Sequence, residues 1–427
     1  MGVESVVVIT STLGAMMAAV AGLSAKRLAR VRGRLEAFAD EVFDGAIGRS
    51  EQRKWGGVYL RGLMLDGRRK SIEPMAARLE DGDEQCLQQF VNQSPWDERV
   101  VRANVARWMT AELAPEAWIV DDTGFAKKGR WSVGVARQYS GTLGRTDNCQ
   151  VGVSISAATD EASCPLDWRI YLPAEWDDDH ERRRKAHVPD DVRHVPKWQL
   201  ALDMIDALRG WGLEPPVVCA DAGYGDITAF RQGLEDRELD YVVQVKAGTS
   251  AFAEHVRPER PPYRGIGRPP VARYREKPGS LRELALAAGG EQAVEVTWRE
   301  GSRGPMSSRF LALHTRPANE QLRRRARETD AELPVRWLLC EWPQGASEPV
   351  KYWLSNLPTD TPLERLVALA KIRWRIEHDY RELKDALGLD HFEGRSYRGW
   401  NHHVTLVSVA HAFLTLERQR PRLRAAA

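Results

Sequence analysis

Two short apolar runs, each ending abruptly in Asp and a turn, constrain this chain most. Ala117-Trp118-Ile119-Val120-Asp121-Asp122-Thr123-Gly124 stops in two carboxylates and a glycine. Pro216-Val217-Val218-Cys219-Ala220-Asp221-Ala222-Gly223-Tyr224-Gly225 repeats the pattern further along. Runs this short, apolar and bounded by Gly or Pro, read as buried strands. Carboxylates at the C-terminal ends of such strands stand where α/β sheets place ligands and metals.

A third carboxylate arrives on a helix. Ile372-Arg373-Trp374-Arg375-Ile376-Glu377-His378-Asp379-Tyr380-Arg381-Glu382-Leu383-Lys384 has helical periodicity. Each residue turns a helix by about 100°, so Arg373, Glu377, Tyr380 and Lys384 share one narrow face. Ile372, Ile376, Leu383 and Leu387 form an apolar stripe beside them. A solvated salt-bridge ladder has the same spacing; the strand-end carboxylates upstream decide for a chemical role. Two Asp and a Glu make an all-oxygen donor set suited to Mg²⁺ or Mn²⁺.

In these segments the chain resembles the bacterial insertion-sequence transposases of the DDE, RNase H-like class. The resemblance is carried by Asp121-Asp122-Thr123-Gly124-Phe125-Ala126-Lys127-Lys128-Gly129, by Ala220-Asp221-Ala222-Gly223-Tyr224-Gly225, and by the C-terminal helix. That helix matches the Y-x2-R-x3-E-x6-K signature of one large branch at Arg373, Glu377 and Lys384. At the first position it has Ala370 in place of Tyr, and Tyr380 on the same face is the candidate replacement. The resemblance covers nearly the whole chain. It implies an RNase H-like catalytic core and a DNA transposase that binds the ends of an insertion sequence. It further implies strand cleavage and strand transfer with two Mg²⁺ ions, or Mn²⁺ in their place, and a homodimer on double-stranded DNA. Two alternatives stay open: a metal-dependent nuclease or resolvase of the same fold, and a catalytically silent DNA-binding protein derived from a transposase. The silent protein is expected to have lost a carboxylate, and none is missing.

Alternation along a strand sends Asp121 and Asp122 to opposite faces. Asp122, followed directly by Thr123, fits the family pattern and is expected to bind metal with Asp221 and Glu377. Asp121 is then a cap, or an acceptor behind the ligands. Asp226 suits a helix N-terminus, Glu382 lies on the opposite helix face, and Glu393 follows a helix stop at Gly388. Arg373 and Lys384, with Tyr380, are expected to grip phosphates near the cut. Lys127 and Lys128 are expected to reach the same backbone. Trp298 and Trp353 are read as core rather than as platforms for an extruded base, and His402 and His403 as packing or phosphate contacts.

A net charge of +2 over 427 residues means that positive charge for DNA must be concentrated locally. Between Lys26 and Lys70 twelve Lys and Arg face six acidic residues, with Arg30, Arg32 and Arg34 the densest group. Clusters of this kind displace counterions from phosphates. The runs Arg182 to Lys185 and Arg323 to Arg325 read as solvated surface. Cys86, Cys149, Cys164, Cys219 and Cys340 have no metal-binding spacing; reduced thiols of a cytoplasmic protein are expected. The apolar stretch Ser5 to Leu23 lacks the positive charge that precedes a signal sequence. It reads as an extra helix, or as a leader translated from too early a start, rather than as a membrane anchor.

The expected organisation is α/β: an apolar extension (1–24), a helical DNA-binding domain (25–112), and an RNase H-like core (113–246). A β-rich insertion with an exposed Pro/Arg loop follows (247–361), then the C-terminal helices of the core (362–427). Gly267-Arg268-Pro269 in that loop resembles a minor-groove motif too short to carry weight.

Overall fold

The computed structural model describes residues 25–141, 144–267, 269–301 and 304–426. The apolar stretch Ser5 to Leu23 and Arg268 lie outside them. Helices α1 (Ala25–Phe43), α2 (Ser50–Met64), α3 (Ile72–Ala76), α4 (Glu84–Asn92) and α5 (Glu98–Leu113) come first. The side chains of Asp83 and Asp97 cap α4 and α5, accepting from the amides of Cys86 and Arg99.

Strands β1 (Ala117–Ala126), β2 (Ala136–Ser140), β3 (Arg145–Ala158) and β4 (Ser163–Ile170) follow. Then come α6 (His180–Lys185), α7 (Lys197–Gly210), β5 (Val218–Ala220), α8 (Ala222–Gly225), α9 (Thr228–Glu235) and β6 (Tyr241–Val245). β3 pairs antiparallel with β1 on one side and with β2 and β4 on the other; β1, β5 and β6 are parallel. Antiparallel strands first, then parallel strands alternating with helices, is the RNase H-like order.

The stretch beyond β6 contains β7 (Ser250–Ala253), β8 (Gly279–Ser280), α10 (Leu281–Ala288), β9 (Val294–Gly301), β10 (Gly304–Pro317), α11 (Glu320–Thr329), β11 (Arg336–Glu341) and β12 (Lys351–Ser355). These strands build no separate sheet. β12 pairs antiparallel with β6, so the insertion extends the core sheet through β11, β10 and β7 to β8. The chain ends in α12 (Leu363–Lys371), α13 (Trp374–Asp385) and α14 (Tyr397–Ala426).

Both sheet faces are covered, as parallel strands require. Ala117 and Ile119 of β1 pack with Cys219 and Val242 against Leu366, Leu369, Ile372 and Ile376. Trp118 and Val120 pack with Val218 and Ala220 against Leu202, Ile205 and Leu208 of α7. The helices α1–α5 close on α14: Phe38, Phe43, Leu63 and Phe90 share a core with Val404, Val407, Phe413 and Leu414. Its middle is therefore buried all round.

That burial decides the histidines. His402 stacks on Trp96 at 3.7 Å and lies between the carbonyls of Val91, 2.8 Å from Nδ1, and Trp96, 3.1 Å from Nε2, to one of which its single N–H donates; His403 bonds the Tyr59 hydroxyl and the Gly388 carbonyl. Burial lowers them to about 3 and about 4, so both are neutral packing groups. Arg102 is buried too, and its guanidinium bonds Thr405, Asn401, Asp167 and the Trp168 carbonyl, joining α5, β4 and α14.

β2 begins only at Ala136, since Gly134 takes φ +68° with no room for a Cβ beside the Tyr171 carbonyl. Two elements differ from expectation. The helix carrying Glu377 is not continuous with the one before it. Arg375 and Ile376 donate to carbonyls three residues back, Ile372 and Arg373, which separates α12 from α13. Asp226 does not cap α9; it accepts from the Lys246 amide at 2.7 Å.

Candidate active site

Asp121 and Asp221 meet because of register. β1 and β5 pair through Ile119 with Cys219 and Val120 with Ala220. One step further β5 leaves the sheet, since the Asp221 carboxylate accepts from the Gly223 amide at 2.8 Å and starts α8. In-register residues of parallel strands face the same way, so Asp121 and Asp221 lie on the face covered by α12 and α13. Gly225 lets α8 seat on β6: a Cβ there would stand 2.0 Å from the Gln244 carbonyl oxygen.

The guanidinium of Arg373 lies against this pair. It donates to Asp121 Oδ2 at 2.6 Å and to Glu377 Oε1 at 3.1 Å. Asp121 is only 8% exposed. Burial, with Asp221 and Asp122 nearby, pushes its carboxyl up to about 7 even though Arg373 opposes the shift. Burial works to lower Arg373, but Asp121, Asp221 and Glu377 outweigh it and hold its proton more firmly.

Asp122, the expected first ligand, faces the other way. Its Oδ2 accepts from Lys197 Nζ at 2.7 Å and from the Tyr224 hydroxyl at 3.1 Å. The reason is the same alternation: Trp118, Val120 and Asp122 form the α7 side of β1, while Ile119 and Asp121 form the α13 side. Lys197 opens α7 directly after Pro196, and Tyr224 stands three residues past Asp221. Neither was singled out in the sequence; Tyr224 lay inside a quoted motif, and Lys197 carried no local signal.

Asp121, Asp122, Asp221 and Glu377 all line one cavity of about 960 Å³, with Arg373, Tyr380, Lys384 and Lys197. The Tyr380 hydroxyl meets Ser154 Oγ at 2.7 Å, across from Asp121 on β3. Lys384 Nζ donates to the Gly124 carbonyl at 2.9 Å, and burial lowers its proton affinity. The other expected DNA contacts lie elsewhere. Lys127 turns inward onto the Phe392 carbonyl at 2.6 Å, while Lys128 is exposed. Arg30, Arg32 and Arg34 stand on α1, away from the cavity; Arg32 pairs with Glu36 and Arg34 with Glu417.

Residues 42–305 match the family described as DDE superfamily endonuclease. The chain belongs to the DDE superfamily endonucleases. It is also similar to the probable transposase for insertion sequence element IS701 of Microchaete diplosiphon, 30% identical over 189 residues, which is 44% of this chain and 47% of that protein. The chain thus spans about half the length of that curated relative. Among solved structures it is similar to a piggyBac transposase synaptic complex with hairpin DNA, with a TM-score of 0.36 and 10% identity over 88% of this chain and 73% of that one.

Membership of the DDE superfamily endonucleases implies a divalent metal. The donors fit one in kind: two aspartates on one face, all oxygen, with Asp121 in surroundings that penalise its charge. Arg373 supplies positive charge there. Glu377, its side chain 65% exposed, is drawn to Arg373. Among the described residues no three His, Cys, Asp or Glu gather tightly enough to enclose an ion. No helix of the described residues is long and apolar enough to cross a membrane.

Proposed function

We propose that this protein is a DNA transposase that binds the ends of an insertion sequence, cuts there and joins the exposed end to target DNA. The observation that carries the reading is the pairing of Asp121 with Asp221 under Arg373 and Glu377, at the end of a parallel sheet, in a DDE endonuclease. Asp121, Asp221 and Glu377 hold the metal, and Asp122 is left to a supporting role. We take Mg²⁺ or Mn²⁺ as the ion, two per site. When bound, such ions activate an oxygen nucleophile and relieve charge on the leaving oxygen.

The chain's own residues do the rest. Asp121 and Asp221 are fixed by strand register and by the Asp221 turn, so their positions cost no ordering when substrate arrives. Arg373 exchanges its carboxylate partners for non-bridging phosphate oxygens, which its planar fork can bind in pairs. That exchange frees Glu377 to complete the donor set. Tyr380, bonded to Ser154, keeps α13 close to β3. Lys384 and Arg381 line the same cavity and would meet the flanking phosphates.

In the first step water attacks phosphorus and the 3′ oxygen leaves as a 3′-OH. In the second that 3′-OH attacks a target phosphodiester, forming the new bond to phosphorus while the target strand's own 3′ oxygen leaves as a 3′-OH. Two ends must be joined, so a homodimer on double-stranded DNA is the working form.

The test uses purified protein, labelled DNA carrying the gene's flanking ends, and Mg²⁺, Mn²⁺ or chelator. Metal-dependent cuts at the boundary, with products joined to target, are expected. Asp121→Asn, Asp221→Asn and Glu377→Gln should abolish cutting and leave end binding intact, while Asp122→Asn keeps cutting. If Asp122→Asn is dead and Asp121→Asn cuts, the two aspartates exchange roles. Cutting without joining would make the protein a nuclease.

A further inference from the structure

The cations around the cavity are unevenly placed. Arg373, Arg381 and Lys384 all stand at or on α13. Lys197 approaches from the opposite face of the sheet, as the first residue of α7. It is the cation that this wall contributes among the described lining residues, which otherwise bear Tyr139, Tyr171, His194 and Trp198 there.

Lys197 is built to be aimed. Asp122 Oδ2 takes its ammonium at 2.7 Å, and the Tyr224 hydroxyl donates to the same oxygen at 3.1 Å. The side chain stays 39% exposed. An ammonium has three donors, so one carboxylate oxygen leaves capacity for a second acceptor from the cavity. The clamp also gives the second aspartate of the pair something to do. Asp122 is turned from the Asp121–Asp221 face, yet it sits at the cavity with its charge matched by Lys197. A DNA strand entering this space would meet three cations on the α13 side, and Lys197 from the α7 side. Lys197 supplies charge there where no residue of α13 can.

On the transposase reading, we propose that Lys197 binds a DNA phosphate on the side of the cut away from α13, and that Asp122 and Tyr224 position its ammonium. Lys197 is then a substrate-binding residue and the other two are positioning residues. The clamp joins the end of β1, the start of α7 and the turn after Asp221. Phosphate binding at Lys197 is therefore tied mechanically to the segment that carries both aspartates.

The experiment measures binding of fluorescent end DNA by anisotropy from 50 to 200 mM salt, in chelator so that no strand is cut. The proteins are wild type, Lys197→Ala, Lys197→Arg, Asp122→Asn and Tyr224→Phe. Each is run on normal DNA and on DNA with single neutral methylphosphonates near the boundary. Loss of one phosphate contact should flatten the slope of log K against log salt by about 0.9. The disadvantage of Lys197→Ala should then shrink about 3.5-fold across that salt range. One methylphosphonate beside the cut should weaken wild type but leave Lys197→Ala unchanged. Lys197→Arg should restore the slope, and Asp122→Asn and Tyr224→Phe should lower affinity while keeping it.

If Lys197→Ala has the wild-type slope and the wild-type methylphosphonate profile, Lys197 is only a structural clamp and the proposal fails. If wild type binds no end DNA, the transposase reading fails with it. Scanning wild type alone also decides: no sensitive phosphate on the side away from α13 would overturn the assignment whatever the variants do.

Discussion

Replacing Asp121 by Asn should make the protein more stable as well as inactive, and the gain should depend on pH. The Asp121 carboxyl moves from an ordinary 3.8 to about 7 because it is buried beside Asp221 and Asp122. A carboxyl raised in the folded state favours folding fully below its unfolded pKa and loses that contribution as pH climbs through the folded value. The window is thus about pH 4 to 7. At about 1.4 kcal/mol per tenfold change in proton affinity, the loss is about 4 kcal/mol. Asn does not titrate, so the stability of Asp121→Asn relative to wild type should rise by about that amount from pH 4 to pH 8 and stay level above it. Arg373 keeps Glu377 as a partner in the variant, so no buried charge is stranded. Urea unfolding in chelator at each pH, followed by tryptophan fluorescence, measures the difference directly. A difference that stays flat from pH 4 to pH 8 would refute the claim that Asp121 occupies a charge-penalising site.

Metal should relieve the same penalty. Mg²⁺ or Mn²⁺ at 100 times its Kd should stabilise wild type by about 2.7 kcal/mol, seen as a chelator-reversible rise in Tm that Asp221→Asn lacks. Gly225→Ala would drive a Cβ against the Gln244 carbonyl oxygen, which as backbone cannot yield cheaply. It should cost about 1–3 kcal/mol by denaturant titration and depress cutting more than DNA binding. Arg102→Met leaves the fully buried Asp167 with Arg169 as its remaining ion-pair partner and the Trp168 amide as a donor. A loss of about 3 kcal/mol in urea is expected, with the remaining folded fraction still active.

Much of the α/β core was legible because its strands are short, apolar and punctuated. Val217 to Ala220 is the clearest case: a short apolar run between a proline and an Asp-Ala-Gly turn, from which the fold makes β5. The two aspartate-bearing segments were legible for a related reason, since charge at the end of an apolar run has few structural explanations; Glu377 was legible from the helical face it shares with Arg373. The choice between Asp121 and Asp122 was not. Alternation says that they diverge, but which one joins Asp221 depends on the register of β1 against β5, a long-range fact absent from either segment. Lys197 was hidden in the same way: nothing local to Pro196-Lys197-Trp198 announces a partner on β1. Lys127 misled because a lysine after a strand-end aspartate looks solvent-facing, whereas the fold offers it the Phe392 carbonyl. The continuous helix expected through Ile372 failed because local propensity does not register a tightening turn imposed from outside.

That turn has an identifiable cause in the insertion. Lys371, the last residue of α12, places its ammonium 4.4 Å from the Trp298 ring centre and within reach of Phe310 and Trp353, while pairing with Glu341 at 2.7 Å. Three residues on, the Arg299 guanidinium stacks over Trp374 at 3.4 Å. Strands β9 to β12 therefore grip the chain on both sides of Ile372 and Arg373, where α12 gives way to α13. Aromatic faces hold a cation without requiring one fixed hydrogen-bond angle, so the grip fixes position while leaving α13 its own axis. Arg373 and Glu377 are consequently set by the insertion as much as by the helix that carries them. The tryptophans of this region need no substrate to explain them: Trp353 is buried, and Trp298 packs under Lys371 and against Phe310. On the proposed reading, this β-rich stretch serves the chemistry by holding α13, with Arg373 and Glu377, over a pair that strand register has already brought together.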